Sequence, residues 1–337
     1  MVAHNQKTCY NENNVGFRQI QENGECCMGR KFHGSIMLLA AALIWGTAFV
    51  AQSEGMRYVE PFTYNSIRTL LGGMVLIPVI AAFRKGGSKG RNYAADPNQA
   101  PLRTTIIGGI LCGVFLFIAS SFQQTGISMT TAGKAGFITA LYIIIVPLIE
   151  LILYRKSTIM VWICVLLAAL GFYLLCMSEG FQVGMGDLLV LCSAVFFAMH
   201  IMVIDHFNSR QTDGMLMSCI QFLTAGTFMA ISMFLFEKPQ LSLIWDAKYT
   251  ILYAGVMSCG IAYTLQILGQ RHTNPTAATL LMSLESVFAA LSGWLLLHEA
   301  LTPRELTGCG LVFAAVVLAQ LKSPEHTTNQ IKTEMKS

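Results

Sequence analysis

Long apolar stretches separated by short polar links run from residue 34 to residue 321. A bilayer crossing takes roughly 20 predominantly apolar residues. By that measure the pattern predicts ten transmembrane helices, near 34–56, 61–83, 104–126, 133–153, 159–177, 186–207, 214–236, 247–269, 276–297 and 305–321. They fall into two sets of five, with a seam between Ser178 and Met185, where Glu179, Gly180 and Gly184 interrupt the apolar run. Five is odd, so a second copy of a five-helix unit enters the membrane from the opposite side. The predicted fold class is therefore all-α integral membrane, built as two inverted five-helix repeats, an architecture that many secondary transporters use.

The punctuation fits this division. Pro61, Pro275 and Pro303 stand at or just before helix starts, where a missing N–H costs little. Arg84 to Arg103, rich in Gly, Lys, Arg and Pro, reads as a flexible loop. The expected units are a disordered cytoplasmic tail over 1–32, a first repeat over 34–178, a second over 184–321 and a C-terminal tail over 322–337. One common shift carries Gln123 onto Gln266, Gly126 onto Gly269, Thr130 onto Thr273, Ala135 onto Ala278 and Leu141 onto Leu284. It lays the third and fourth helices over the eighth and ninth.

Charge sets the orientation. Lys and Arg gather in both tails and in the 84–103 loop, whereas the opposite face carries only Arg57, Lys134, Lys238, Lys248 and Arg304. The positive-inside rule then places both termini in the cytoplasm. In the second half, Arg210 and Arg271 face Lys238, Lys248 and Arg304, so orientation there rests on the helix count.

Of 337 residues, 54% are hydrophobic and 12% charged, against about 25% charged in soluble domains. That balance excludes a soluble enzyme and, with a net charge of only +4, a nucleic-acid binder. Cys112, Cys164, Cys176, Cys192, Cys219, Cys259 and Cys309 lie inside apolar segments and read as small buried hydrophobes. Cys9, Cys26 and Cys27 have no metal-ligand spacing around them. No metal, disulfide or cofactor is expected, nor is a cleavable signal peptide.

An ionised group at the bilayer centre costs about 2.5–3.5 kcal/mol on insertion scales, so each one calls for a reason. Glu285, near mid-membrane in the ninth helix, is a proton-titrating carboxylate, a partner for a cationic solute group, or a carboxyl hydrogen-bonded between helices for packing alone. Arg68, in the second helix, is a structural or gating charge, or a partner for a solute carboxylate. His200 either lines a cavity or is buried and hydrogen-bonded. With Asp205 it makes an H-x4-D spacing, but on a helix the two point roughly 140° apart. Glu150 reads as an interfacial partner of Arg155 and Lys156. Trp45, Gln52, Asn65, Gln123, Gln124 and Gln266 are polar groups at membrane depth that must face other helices or a wet cavity. The substrate pathway is assigned to Glu285, His200, Gln123, Gln266 and Trp45, and no residue is assigned a catalytic role. Gly109-x3-Gly113 reads as a close helix contact. No phosphate-binding loop, H-E-x-x-H or paired-aspartate motif is present, so transport would be gradient-driven or passive.

Residues 34–321 resemble the EamA-type permeases of the drug/metabolite transporter superfamily. The resemblance rests on Ala42-Leu43-Ile44-Trp45-Gly46, on the Arg68 segment SIRTLLGGMVL, and on SLESVFAALSGWLLLHEALTPRELTG from Ser283 to Gly308. Ser286 replaces a frequent proline and His298 a usual glycine. The first-copy counterpart keeps Pro147 but has Arg155-Lys156 where Gly-Glu closes the motif. The resemblance implies a central cavity lined by the first, third, fourth, sixth, eighth and ninth helices, in a family with many bacterial exporters. The resulting expectation is a proton-coupled or passive secondary transporter, exporting small amino-acid or drug-like solutes by alternating access. Two rivals are a membrane-embedded enzyme for lipid-linked substrates and a non-transporting sensor or scaffold.

Overall fold

Helix ends in the computed structural model follow from local chemistry. It describes residues 17–86, 100–130, 132–154, 159–176, 184–297 and 303–321. Asn274 Oδ1 accepts from the Ala277 amide at 2.7 Å with Pro275 in the first turn, which starts one helix. Asp213 starts another by accepting from the amides of Met215 and Leu216, both at 3.1 Å.

The elements, in chain order, are α1 (Phe17–Gly55), α2 (Pro61–Gly86), α3 (Leu102–Ile127), α4 (Ala132–Ala140), α5 (Tyr142–Tyr154), α6 (Ile159–Cys176) and α7 (Met185–Asn208). Then come α8 (Gly214–Phe236), α9 (Leu241–Asp246), α10 (Lys248–Tyr253), a π-helical segment (Ala254–Ala262), α11 (Tyr263–Gln270), α12 (Pro275–Met282), α13 (Leu284–Leu297) and α14 (Pro303–Leu321). No strand occurs among the described residues.

Eight segments are long and apolar enough to cross a membrane, and Ile159–Gly171 and Leu306–Leu318 are shorter apolar stretches within α6 and α14. The protein is thus a multi-pass, all-helical membrane protein. Lipid-type side chains such as Ile152, Phe234, Leu235 and Phe236 are exposed on its outside, whereas Gln52, Asn65, Arg68, Gln123, Gln221, Gln266 and Glu285 are buried. Hydrocarbon enforces that inversion, because polar groups facing lipid would find no partner.

Four features depart from the sequence reading. First, α1 begins at Phe17, inside the segment expected to be a disordered tail, since Phe17–Lys31 contains no proline and many helix formers. Positions 1–16, 87–99 (most of the expected loop) and 322–337 lie outside the described residues. Second, the fourth predicted helix is divided at Leu141, whose amide donates to the Ile138 carbonyl at 3.2 Å, a tighter turn at the junction of α4 and α5. Third, the ninth is divided at Ser283, whose hydroxyl donates back to the Leu280 carbonyl at 2.8 Å, a local bond that bends helices. Fourth, the eighth carries the π segment, a wide turn frequent at functional sites. The short helix α9 was not foreseen either.

Glycine lets the helices approach. A Cβ on Gly126 would stand 2.7 Å from the Gly186 carbonyl oxygen, and one on Gly269 3.0 Å from that of Gly34. So α3 crosses α7, and α11 crosses α1, through paired glycines. Elsewhere α2 packs on α8, α6 on α14, and α1 on α13.

Candidate functional site

Between α1, α2, α3, the α4–α5 pair, α7, the π segment with α11, and the α12–α13 pair lies a cavity of about 40 Å³. Its wall holds Trp45, Phe49 and Gln52 from α1, Arg68 from α2 and Gln123 from α3. Thr139 and Tyr142 come from either side of the Leu141 break, and Phe197 and Ile201 from α7. Ser258, Tyr263 and Gln266 come from the π segment and α11, and Met282 and Glu285 from either side of the Ser283 break. Each interruption therefore borders this space. The breaks turn the first residues of α5 and α13 toward it, with Glu285 in the first turn of α13, where a helix N-terminus favours negative charge.

Two opposite charges share the wall. Glu285 Oε1 accepts from the Tyr142 hydroxyl at 2.9 Å. Arg68 Nε donates to Asn65 Oδ1 at 2.9 Å, and Asn65 in turn donates to the Ser120 carbonyl at 2.9 Å. Among the described residues the ion pair found is the exposed Arg57–Glu54 contact, and none joins Arg68 or Glu285. Tyr263 lies within electrostatic range of both charges. Its ring meets that of Trp45 edge-on with centroids 4.8 Å apart.

Several polar atoms on this wall have no hydrogen-bond partner among the described residues: Trp45 Nε1, Gln52 Oε1 and Gln266 Oε1. Gln123, by contrast, donates to Thr139 Oγ1 at 3.1 Å. Buried polar groups are ordinarily paired, so atoms left over on a cavity wall indicate what the cavity is shaped to receive.

Of the residues picked from sequence, Trp45, Gln123, Gln266, Glu285 and Arg68 all face this one space. His200 does not line it. That side chain is fully buried behind the wall, with Nε2 3.0 Å from Gln221 Oε1 and its ring 6.0 Å from that of Tyr263. The Glu150 carboxylate takes a hydrogen bond from Thr276, while its expected partners Arg155 and Lys156 lie outside the described residues. Sequence reading missed Tyr142, Tyr263, Thr139 and Met282. A signal for them existed: Tyr142 and Glu285 are 143 residues apart, the same shift that carries Gln123 onto Gln266. It also carries Thr139 onto Met282 and Ser120 onto Tyr263. No group of three or more metal-binding side chains occurs among the described residues.

A multi-pass helical protein with a buried, charged, partly unpaired cavity at its centre has the form of a membrane transporter. The comparisons agree, and the chain belongs to the EamA-like transporter family, which matches residues 32–177 and again 184–321. It is similar to an uncharacterized transporter of Archaeoglobus fulgidus, 28% identical over 90% of this chain and 91% of that protein. It is also similar to the uncharacterized inner membrane transporter YedA of Escherichia coli, 26% identical over 84% of this chain and 89% of the relative. A solved crystal structure, 19% identical, shares the fold with a TM-score of 0.67 over 86% of this chain and 96% of the other.

Proposed function

We propose that the protein is a secondary transporter of ten transmembrane helices in two inverted five-helix repeats, 34–178 and 184–321. It exports small amino-acid or drug-like solutes by alternating access, with both termini cytoplasmic. The helices α6 and α14 complete the count of ten. Packing supports a two-fold relation between the halves: α3 lies on α7 as α11 and the π segment lie on α1, while α2 pairs with α8 and α6 with α14. Under a two-fold relation those last pairs are each helix with its own counterpart.

The observation that carries the reading is the pair of buried ionisable side chains, Arg68 and Glu285, on one cavity wall, with no ion pair to either among the described residues. Unpaired buried charge is strongly destabilising, and a solute with ionised groups supplies the missing partners. Glu285, whose carboxyl accepts from the Tyr142 hydroxyl at 2.9 Å, is the group that couples solute movement to protons. A cavity of about 40 Å³ holds roughly three waters, far below the ~300 Å³ at the lower end of ligand pockets. The described state is therefore contracted, and solute enters only when the helices part. Export, rather than uptake, follows the habit of many bacterial members of the family.

Untargeted comparison of metabolites inside and outside cells, with and without the gene, tests this. A solute that accumulates inside when the gene is absent, and is driven out of proteoliposomes by a proton gradient, is the expected result. Equal distributions, with no flux in vesicles, would sink the proposal.

A further inference from the structure

The guanidinium of Arg68 is held along one edge and open along another. Nε donates to Asn65 Oδ1 at 2.9 Å, and Asn65 is itself fixed by donating to the Ser120 carbonyl at 2.9 Å. The Tyr64 ring centroid lies 5.7 Å from Cζ, within cation–π reach. Among the described residues the Asn65 bond is the one hydrogen bond found to Arg68, and no carboxylate pairs with it. The side chain is 4% exposed and borders the cavity.

Arginine keeps its proton inside proteins and donates from Nε and from both Nη atoms. The Nη edge is therefore a lasting positive charge with unused donors, and such an edge fits the two oxygens of a carboxylate in a planar, bidentate pair. Charge then chooses among anions. No lysine or second arginine lines the cavity among the described residues, and Glu285 is on the same wall. A phosphate ester carries about −1.5 to −2 charges at neutral pH and would lack a second cation, whereas a carboxylate carries one charge. Size agrees, since about 40 Å³ holds roughly three waters, room for the three heavy atoms of a carboxylate group.

We propose that the Nη edge of Arg68 is the subsite for a carboxylate on the transported solute. The assignment rests on the transport reading above and narrows it to carboxylate-bearing solutes. Asn65 is a positioning residue, which takes Nε and leaves the Nη edge to the cavity. A buried charge without its partner costs stability, and that separates this arginine from a structural one.

The test uses the full chain in detergent at fixed ionic strength, with sodium acetate, acetamide and inorganic phosphate as probes. Acetate is expected to raise the wild-type melting temperature saturably, acetamide to leave it unchanged, and phosphate to act more weakly than acetate. Arg68→Gln should melt at or above the wild type without any probe, and should lose the acetate response. Arg68→Lys keeps the charge without the fork and should need about tenfold more acetate, the worth of one charged hydrogen bond. The solute retained by cells lacking the gene should bear a carboxylate.

An acetate-insensitive wild type would overturn the proposal, as would acetamide or phosphate matching acetate, or an undiminished acetate response in either variant. Arg68→Gln melting well below the wild type would mark a structural arginine and overturn it too, as would a retained solute without a carboxylate. Absence of any flux in wild-type vesicles would instead count against the transport reading, while the melting series still decides whether Arg68 takes a carboxylate.

Discussion

Residues 32–177 and 184–321 match one family, yet they furnish the shared cavity with different chemistry. The first stretch places Tyr142, Thr139 and Gln123, which donates to Thr139, on the wall; the second places Glu285, Met282 and Gln266, whose Oε1 has no partner among the described residues, at the corresponding positions. The first keeps its third helix regular, whereas the second opens the matching helix into a π segment beside Ser258 and Tyr263. A shared backbone plan thus supports a division of labour. The first half contributes Arg68 and the Trp45 Nε1 and Gln52 Oε1 atoms, and the second contributes the Glu285 carboxyl and Gln266 Oε1.

The largest effect should come from breaking the pair at its charged member. Glu285→Gln is expected to abolish proton-driven flux in proteoliposomes, with a melting temperature near that of the wild type showing that the fold survives. Flux with unchanged pH dependence would remove Glu285 from the mechanism. The mirror change, Tyr142→Phe, deletes one hydrogen bond to a charged group, about 1.5–3 kcal/mol, so flux should fall ~10- to 100-fold. A loss as complete as that of Glu285→Gln would mean the two positions are not divided as described.

Next in size are the paired glycine crossings. A Cβ at Gly126 would come within 2.5 Å of Val190 Cγ2, and one at Gly269 within 2.9 Å of Leu38 Cγ. Overpacking of this kind costs about 1–3 kcal/mol. Both Gly126→Ala and Gly269→Ala should lower the melting temperature, with Gly126→Ala the worse. An unchanged melting temperature in either would show that the crossing has slack.

The smallest effect is expected at Gln123. Thr139→Val removes the partner of Gln123 and should cost about 1 kcal/mol of stability with little change in solute affinity. A large affinity change with no stability change would make Gln123 a solute ligand after all.

Much of this fold was legible beforehand because lipid imposes a simple rule: apolar side chains outside, polar backbone paired within the helix. Pro61, Pro275 and Asn274 marked helix starts for local reasons that the structure repeats. The interruptions were harder. Neither break has a proline at it: Pro147 lies within α5, past Leu141, and the break at Ser283 depends on a hydroxyl turning back onto Leu280, which serine does only in context. At the site, depth in the membrane was enough to find Glu285, Arg68, Trp45 and the two glutamines. The aromatic wall was invisible, since Phe49, Phe197 and Tyr263 look like any other apolar residue until the helices are packed. His200 shows the converse, a polar residue at the right depth whose ring Gln221 holds behind the wall.

The inversion of the two halves is the claim on which the rest depends, and one labelling experiment addresses it. Met129 and His272 are exposed, occupy corresponding links after α3 and after α11, and are related by the shift that joins Tyr142 to Glu285. With the 10 native cysteines replaced by alanine, Met129→Cys and His272→Cys are exposed in turn to a membrane-impermeant maleimide, in right-side-out and inside-out vesicles. An inverted repeat with cytoplasmic termini predicts that Met129→Cys labels only from outside the cell and His272→Cys only from the cytoplasmic side. Labelling of both from the same side would contradict it.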